Sequence, residues 1–223
     1  MQTVRVNLDR FVEGTERYAE LFDPEKIGAI HIPNFLNNRF LRALKEEALG
    51  LDTMGALKKA SPVEGRATQN FSKVYFSGSN SNGSEITLNH LQNIRELAKL
   101  YTIVIYNRIG KEFGFEKVDM VNSIGLHKYP KNGHISYHRD PKRDLNLIGI
   151  FSLKGTAKIY FALSRDGAGE ISYTAEPGDL TLMRGSYKDL KNPFHKVEMN
   201  TEEPMESRYS IILRQELVEK RVN

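Results

Sequence analysis

The chain has 223 residues, of which 39% are hydrophobic and 27% charged, and its formal net charge is +4. This length suits one hydrophobic core, and the composition is typical of a globular rather than a disordered protein. Cysteine is absent, which excludes disulfides, thiolate metal sites and cysteine nucleophiles. No apolar run approaches the roughly 20 residues of a membrane helix, and the N-terminal residues have no apolar signal-peptide core. We therefore expect a cytoplasmic location, with a nuclear one open for a eukaryotic protein.

The helices are predicted in the N-terminal half. Residues 1–24 read as a short polar helix, and residues 27–36 as a strand that ends in a turn. Asn37 or Asn38 can cap the helix that follows, and residues 87–115 have the period of a long amphipathic helix. Apolar residues predicted to face the core are Phe40, Leu41, Leu44 and Leu49 in the first of these two helices, and Leu91, Ile94, Leu97, Ile103 and Ile105 in the second.

Residues 60–86 differ in composition from their surroundings. Serine, glycine and asparagine dominate, and Phe71, Tyr75 and Phe76 lie among them. A loop or hairpin of this length within a compact domain is often functional. We interpret the segment as a candidate lid over a substrate site.

From residue 120 onward the hydrophobic pattern has a period of two, which predicts a series of short strands separated by turns. Evenly spaced strands of this kind are typical of an antiparallel barrel or a double-sheet jelly roll. Helices first and strands afterwards predict an α+β fold, and the absence of repeats or linkers predicts a single domain over residues 1–223. The predicted strands are 121–129, 134–139, 146–153, 157–163, 170–175, 179–184, 195–200 and 208–215.

A His-x-Asp pair and a distant histidine are the candidate metal ligands. His138 and Asp140 are two residues apart, so on a strand they project to the same face. A third ligand from another strand, for which His195 is the candidate, would complete a two-histidine, one-carboxylate site. That ligand set suits non-haem Fe(II) and leaves further coordination positions open. A surface histidine near an aspartate is the alternative for the pair, and a histidine at a strand end is the alternative for His195.

The last predicted strand carries two arginines on one face. Arg208, Ser210, Ile212 and Arg214 alternate with apolar residues in RYSIILRQ. A buried arginine is costly unless it is paired, and a dicarboxylate ligand would pair it through a bidentate contact. The alternative is an edge strand whose arginines lie in solvent.

Together these motifs resemble the Fe(II)/2-oxoglutarate-dependent dioxygenase superfamily over roughly residues 25–216. The sequence is most similar to the AlkB-type branch, whose last strand has the pattern R-x-N-x-T-x-R. Here that strand keeps both arginines but has Ser210 and Ile212 at the middle positions. The branch also has an N-x-Y element shortly before the His-x-Asp pair, and here it is His127-Lys128-Tyr129. Because His127 replaces an asparagine, its role stays open.

The resemblance implies a double-stranded β-helix core with supporting N-terminal helices, and Fe(II), 2-oxoglutarate and O₂ as cofactor and co-substrates. It implies that His138, Asp140 and His195 bind iron and that Arg208 binds the distal carboxylate of 2-oxoglutarate. Tyr129 and Ser210 would assist Arg208, and Arg214 would approach the carboxylate next to the ketone.

The substrate is less well indicated. Where the family often has a second acid after the His-x-Asp pair, this chain has Lys142, and tryptophan is absent. A base could stack on Phe71, Tyr75, Phe76 or Tyr187 instead, although core packing is the alternative for each. One function hypothesis is hydroxylation or oxidative demethylation of a nucleobase in single-stranded or duplex DNA or RNA. The others are hydroxylation of a protein side chain or small metabolite, and a non-enzymatic jelly-roll binding module.

Two basic clusters near the histidines bear on the substrate. They are either solvated surface or a rim that attracts an anion such as nucleic acid. The first comprises Lys128, Lys131, Arg139, Lys142 and Arg143, and the second Arg184, Lys188, Lys191 and Lys196.

Overall fold

Two antiparallel β-sheets face each other, and helices pack on the outer face of the larger sheet. The structure is a computed structural model that describes residues 17–60, 69–77, 88–199 and 207–217. Most of the predicted lid at 60–86 and the first sixteen residues therefore lie outside the described residues. The helices are α1 (Tyr18–Phe22), α2 (Asn38–Thr53), α3 (Gln92–Leu100) and α4 (Asn107–Phe113).

All eight strands predicted after residue 120 are present, each within a few residues of its expected limits. Four further strands precede them in the described part of the chain. The strands are β1 (Ala29–Ile32), β2 (Lys58–Lys59), β3 (Gln69–Asn70), β4 (Ser72–Ser77), β5 (Ser123–Pro130), β6 (His134–His138), β7 (Asp144–Lys154), β8 (Ala157–Ala162), β9 (Ile171–Ala175), β10 (Leu180–Arg184), β11 (Phe194–Met199) and β12 (Ser207–Glu216).

The strands form a double-stranded β-helix, so the predicted α+β jelly-roll class is confirmed. The larger sheet has the order β1-β10-β7-β12-β5-β4-β2, and the smaller one has the order β3-β6-β11-β8-β9. β12 lies at the centre of the larger sheet, between β5 and β7, and is buried along most of its length. The alternative of an exposed edge strand for the two arginines is therefore wrong.

Apolar side chains form two cores, one on each face of the larger sheet. The outer core packs the helices against that sheet and includes Leu44, Leu97 and Phe151. The inner core fills the space between the sheets and includes Ile150 from the larger sheet and Ile159 from the smaller one. The middle of β7 is therefore apolar on both faces, which explains why its sequence there lacks a polar alternation. β12 is apolar on its outer face and carries Arg208, Ser210 and Arg214 on its inner face.

The N-termini of α2 and α3 are capped by side chains. The Asn37 side chain accepts a hydrogen bond from the Phe40 amide at 2.8 Å, as one of the two predicted caps. Glu47 on α2 accepts from the amides of Asn93 and Ile94 at 2.9 and 2.8 Å. A carboxylate at this position satisfies free N–H groups and interacts favourably with the positive end of the helix dipole. Because Glu47 lies on α2, the same hydrogen bonds join α2 to α3.

The long helix predicted at 87–115 is interrupted. A 3₁₀ turn at Leu88–His90 precedes α3, and a π-helical segment at Tyr101–Tyr106 separates α3 from α4. The π-helical segment widens the turn and shifts which side chains face the sheet. Ile103, predicted to be a core residue, is instead 66% exposed, whereas the buried Tyr101 donates a hydrogen bond to the Leu147 carbonyl. No helix in the described ranges is long and apolar enough to span a bilayer.

We predict that Gly149→Ala destabilises the fold and that Gly50→Ala does not. A Cβ at Gly149 would lie 2.6 Å from the Tyr101 ring, whereas a Cβ at Gly50 in α2 meets nothing within 4 Å. Overpacking at Gly149 should cost about 1–3 kcal/mol of unfolding free energy, and helix propensity should make Gly50→Ala stabilising by about 0.5–1 kcal/mol. Urea denaturation of the two variants measures both, and equal stabilities would contradict the packing described.

Candidate metal centre

A cavity of about 190 Å³ lies between the two sheets, at one end of the inner core. Its walls come from β4, β5, β7 and β12 of the larger sheet and from β6 and β11 of the smaller one. Arg208, Ser210, Ile212 and Arg214 all line it, as the alternation in β12 predicts. Strands from both sheets therefore bring polar side chains to one enclosed space.

His138, Asp140 and His195 lie together on the smaller-sheet side of this cavity. His138 ends β6 and is the register partner of His195 on β11, and their ring centroids are 4.1 Å apart. Asp140 follows the end of β6, and its Oδ1 is 3.8 Å from His138 Nε2 and 3.9 Å from His195 Nε2. One potential ligand atom from each residue lies within 4.8 Å of the other two. Two neighbouring residues and a histidine from a distant part of the sequence thus converge on one point.

The protonation of the two imidazoles suits a metal ligand. His138 Nδ1 lies 3.0 Å from the Ser136 carbonyl oxygen, and His195 Nδ1 lies 3.5 Å from that of Pro193. A carbonyl can only accept, so each Nδ1 carries the hydrogen and each Nε2 keeps its lone pair. Burial lowers the pKa of both rings, that of His195 to about 3, so both are neutral at pH 7. Two neutral imidazoles and a carboxylate fit a divalent ion such as Fe(II).

Arg214 connects the Asp140 carboxylate to a second buried acid, Asp144. The Arg214 Nε lies 3.7 Å from Asp140 Oδ2 and 3.6 Å from Asp144 Oδ2. Burial alone would raise the pKa of Asp140, but its neighbours, Arg214 foremost, lower it to about 2. Burial, opposed by Arg214, raises the pKa of Asp144 to about 7. Asp140 is therefore ionised and ready to bind a cation at neutral pH.

Arg208 is a buried cation without an anionic partner among the described residues. It is 1% exposed, and its two terminal nitrogens donate to Ser152 Oγ at 3.0 Å and Ser210 Oγ at 3.2 Å. Its guanidinium carbon lies 5.6 Å from the centre of the Tyr129 ring, and its Nε has no hydrogen-bond partner in the described part of the chain. Burial lowers its pKa, which reflects the cost of holding the charge there. An anion in the cavity would offset that cost.

The residues predicted to contact a substrate divide into two groups. Phe71 and Tyr75 line the cavity, and the Phe71 ring stacks on Tyr129 with centroids 5.0 Å apart. Phe76 packs on the outer core instead, and the exposed Lys142 is not among the cavity-lining residues. Tyr187, the remaining candidate for stacking, packs against Phe22 and Phe115 in the outer core. Alternation along residues 71–76 separates Phe76 from Phe71 and Tyr75, since Phe71 and Tyr75 share a face that Phe76 does not.

The basic clusters do not form one continuous rim. Arg184 is buried and donates to the backbone carbonyls of Leu21, Asp23 and Lys191, so it stabilises the fold. Lys128 pairs with Asp52 at 2.6 Å. The rim interpretation is therefore wrong for these two residues.

Sequence reasoning missed three polar residues near the cavity: Lys73, Asp144 and Ser152. Lys73 lies between Phe71 and Tyr75 with the period of two that marks one face of a strand, so its position could have been inferred. Nothing in the sequence marks Asp144 or Ser152 as partners of the arginines, because both contacts depend on the pairing of β7 with β12.

Solved structures share the fold of this chain. No protein-family model and no curated protein matches it. A Pseudomonas putida prolyl-4-hydroxylase aligns with a TM-score of 0.58 and 16% identity over 89% of this chain and 98% of its own. OsALKBH1 aligns with a TM-score of 0.56 and 13% identity over 84% and 98%. A Trichoplax adhaerens prolyl hydroxylase, in complex with a hypoxia inducible factor oxygen degradation domain peptide fragment, aligns with a TM-score of 0.57 and 14% identity over 92% of each chain.

The chain has the fold of the Fe(II)/2-oxoglutarate oxygenases. An AlkB homologue is among its structural neighbours, as the sequence resemblance predicts. The likeness covers 84% to 92% of the chain.

We predict that the stability of the metal-free protein falls as the pH drops below 6.5, partly because of His195. Its pKa is lower in the folded state, about 3, than the ordinary 6.5, so unfolding takes up a proton. The contribution of His195 to the unfolding free energy is fully present above pH 6.5, and about 2 kcal/mol of this contribution is lost by pH 5. Urea denaturation at pH 7 and pH 5 should show a smaller loss for His195→Gln than for the wild type. His134→Gln, on the outer side of the same sheet, is the control. If His195→Gln loses as much stability between pH 7 and pH 5 as the wild type, His195 is not the buried neutral imidazole described.

Proposed function

We propose that the protein is an Fe(II)- and 2-oxoglutarate-dependent oxygenase. The observation that carries this proposal is the buried Arg208, which faces the same cavity as His138, Asp140 and His195 and has no carboxylate partner in the described residues. A metal site alone would suit a hydrolase as well. A metal site beside an uncompensated guanidinium suits a metal-bound dicarboxylate.

Each part of the proposed site has a defined task. His138, Asp140 and His195 hold the iron on one side, and the rest of the cavity remains for ligands. Iron with 2-oxoglutarate and O₂ supplies the oxidising power for inserting oxygen into a substrate C–H bond. The apolar walls, among them Ile148, exclude water from the reacting groups.

The co-substrate's distal carboxylate is assigned to Arg208. Ser210 and Ser152 hold the guanidinium plane through its terminal nitrogens, and Tyr129 packs over it, so the charge is fixed before the ligand arrives. Arg214 is already matched by the ionised Asp140, with Asp144 beside it, and we assign it to holding Asp140 in place. Its approach to the second carboxylate of 2-oxoglutarate stays a prediction.

The substrate proposed first is a nucleobase in DNA or RNA, which the enzyme would hydroxylate or demethylate oxidatively. Support comes from Phe71 and Tyr75 at the cavity, which can stack a flat ring, and from the AlkB homologue among the structural neighbours. A protein side chain is the second candidate, because two prolyl hydroxylases share the fold. A binding module without activity is the third.

We predict that iron binding depends on the three ligands and that 2-oxoglutarate binding depends on Arg208. His138→Ala and His195→Ala should abolish Fe(II) binding measured by anaerobic calorimetry, whereas His134→Gln should bind as the wild type.

Arg208→Met should raise the dissociation constant of 2-oxoglutarate about 100-fold, equivalent to about 3 kcal/mol of lost charge-assisted hydrogen bonding. Lys154→Met, a lysine over the Tyr209 ring and not among the cavity-lining residues, is the control. Unchanged iron binding in both histidine variants would refute the proposal.

Succinate release identifies the substrate class. We predict that a methylated single-stranded oligonucleotide stimulates conversion of 2-oxoglutarate to succinate, and that this stimulation weakens at high salt because phosphate contacts are screened. Stimulation by proline-containing peptides or free amino acids instead would favour the second candidate. Iron binding without any turnover across both panels would favour the binding module.

A further inference from the structure

A row of polar side chains crosses the inner face of the larger sheet. Lys73 on β4 is the register partner of His127 on β5, His127 is that of Ser210 on β12, and Ser210 is that of Ser152 on β7. Directly opposed residues of antiparallel strands project from the same face. Lys73, His127 and Ser210 line the cavity, so the row runs along one of its walls.

The two halves of this row differ in their hydrogen bonding. Ser210 and Ser152 bind the Arg208 guanidinium. His127 is 8% exposed, and its Nε2 has no hydrogen-bond partner within the described ranges. Its ring lies 5.0 Å from that of Phe71 and 6.0 Å from that of Tyr75, so its surroundings are largely aromatic. A buried nitrogen without a partner costs about 1–3 kcal/mol, which a ligand group at that position would recover.

Lys73 adds a positive charge beside His127. Its Nζ lies 5.7 Å from the centre of the Phe71 ring and 5.4 Å from that of Tyr75. Lys73 forms no ion pair with a carboxylate of the described residues. The residue opposite it on β2 is another lysine, Lys58, and like charges in opposed positions destabilise a sheet. The structure therefore keeps a cation at the cavity that the described protein does not neutralise.

The positive charge of Lys73 is not needed to bind the co-substrate. In the proposed function, the two carboxylates of 2-oxoglutarate are matched by Arg208 and by the iron. Asp140 and Asp144 match Arg214. Two cavity-lining cations are left over, Lys73 and Arg139, and Arg139 packs over the Phe194 ring and donates to the Leu163 carbonyl. Of the two, Lys73 lies at the His127 end of the row, away from Ser152.

We propose that Lys73 and His127 form a subsite for an anionic oxygen group, phosphate or carboxylate, on the primary substrate. This inference rests on the proposed function, because it takes Arg208 as the partner of the co-substrate. Lys73 supplies the charge, and His127 donates a hydrogen bond from Nε2. Phe71 and Tyr75 pack against the apolar part of the same ligand.

Calorimetry with small aromatic probes tests the subsite. The protein is loaded with Mn(II) and saturating 2-oxoglutarate, so that Arg208 is occupied, and then titrated with phenyl phosphate, benzoate and the neutral benzamide. We expect at least one charged probe to bind about tenfold more tightly than benzamide. Phenyl phosphate alone would indicate a phosphate-bearing substrate, and benzoate alone a carboxylate-bearing one. Equal binding of all three probes overturns the inference.

Substitutions of Lys73 and His127 test whether these two residues bind the charged probe. Lys73→Met and His127→Leu should each weaken the charged probe about tenfold and leave the dissociation constant of 2-oxoglutarate unchanged. His127→Gln, which keeps an N–H donor in reach, should restore most of the binding, and Lys154→Met should match the wild type. If both charge-removing variants bind the probe normally, or if either weakens 2-oxoglutarate by the same factor, the subsite is refuted. If the wild type binds neither Mn(II) nor 2-oxoglutarate, the proposed function fails, and the effect of Lys73→Met and His127→Leu on binding of the charged probe to the protein alone still decides the subsite.

Discussion

The Arg208 guanidinium lies at the centre of a seven-stranded sheet, 1% exposed, and its charge must be stabilised there. Two serine hydroxyls and the Tyr129 ring give it neutral contacts, which do not replace a counter-charge. The arrangement is costly to folding, and an anionic ligand would offset that cost. Its position on β12, across the cavity from two histidines and an aspartate, is the reason for proposing a metal-bound dicarboxylate as its partner.

Each ionisable group around the cavity is held in a particular protonation state by its surroundings. Asp140 is kept ionised by Arg214, while the two imidazoles are kept neutral by burial, so the three ligands are in the states that a divalent cation requires. Asp144 takes part in the same ion pair from the far side and so limits how Arg214 can move. The proposed metal ligands and the proposed co-substrate site thus depend on one another through the pairing of β12 with β7.

Local pattern was enough to predict the eight strands after residue 120 and the shared face of Arg208, Ser210 and Arg214, because both depend on a period of two. It was not enough for the π-helical turn in which Tyr101 is buried and bonded to the Leu147 carbonyl while Ile103 is exposed, since these contacts depend on how the helix meets the sheet. Arg184, read from sequence as part of a basic rim, caps backbone carbonyls of residues far away in the chain. Contacts that depend on strand pairing, such as Asp144 with Arg214, leave no signal in a single sequence.

A crystal structure of the protein grown anaerobically with Fe(II) and 2-oxoglutarate tests the central claim most directly. The account predicts iron on His138, Asp140 and His195, and a carboxylate of 2-oxoglutarate within hydrogen-bond distance of the Arg208 guanidinium. Iron bound elsewhere, or Arg208 paired with a carboxylate of the protein while 2-oxoglutarate lies outside the cavity, would contradict it.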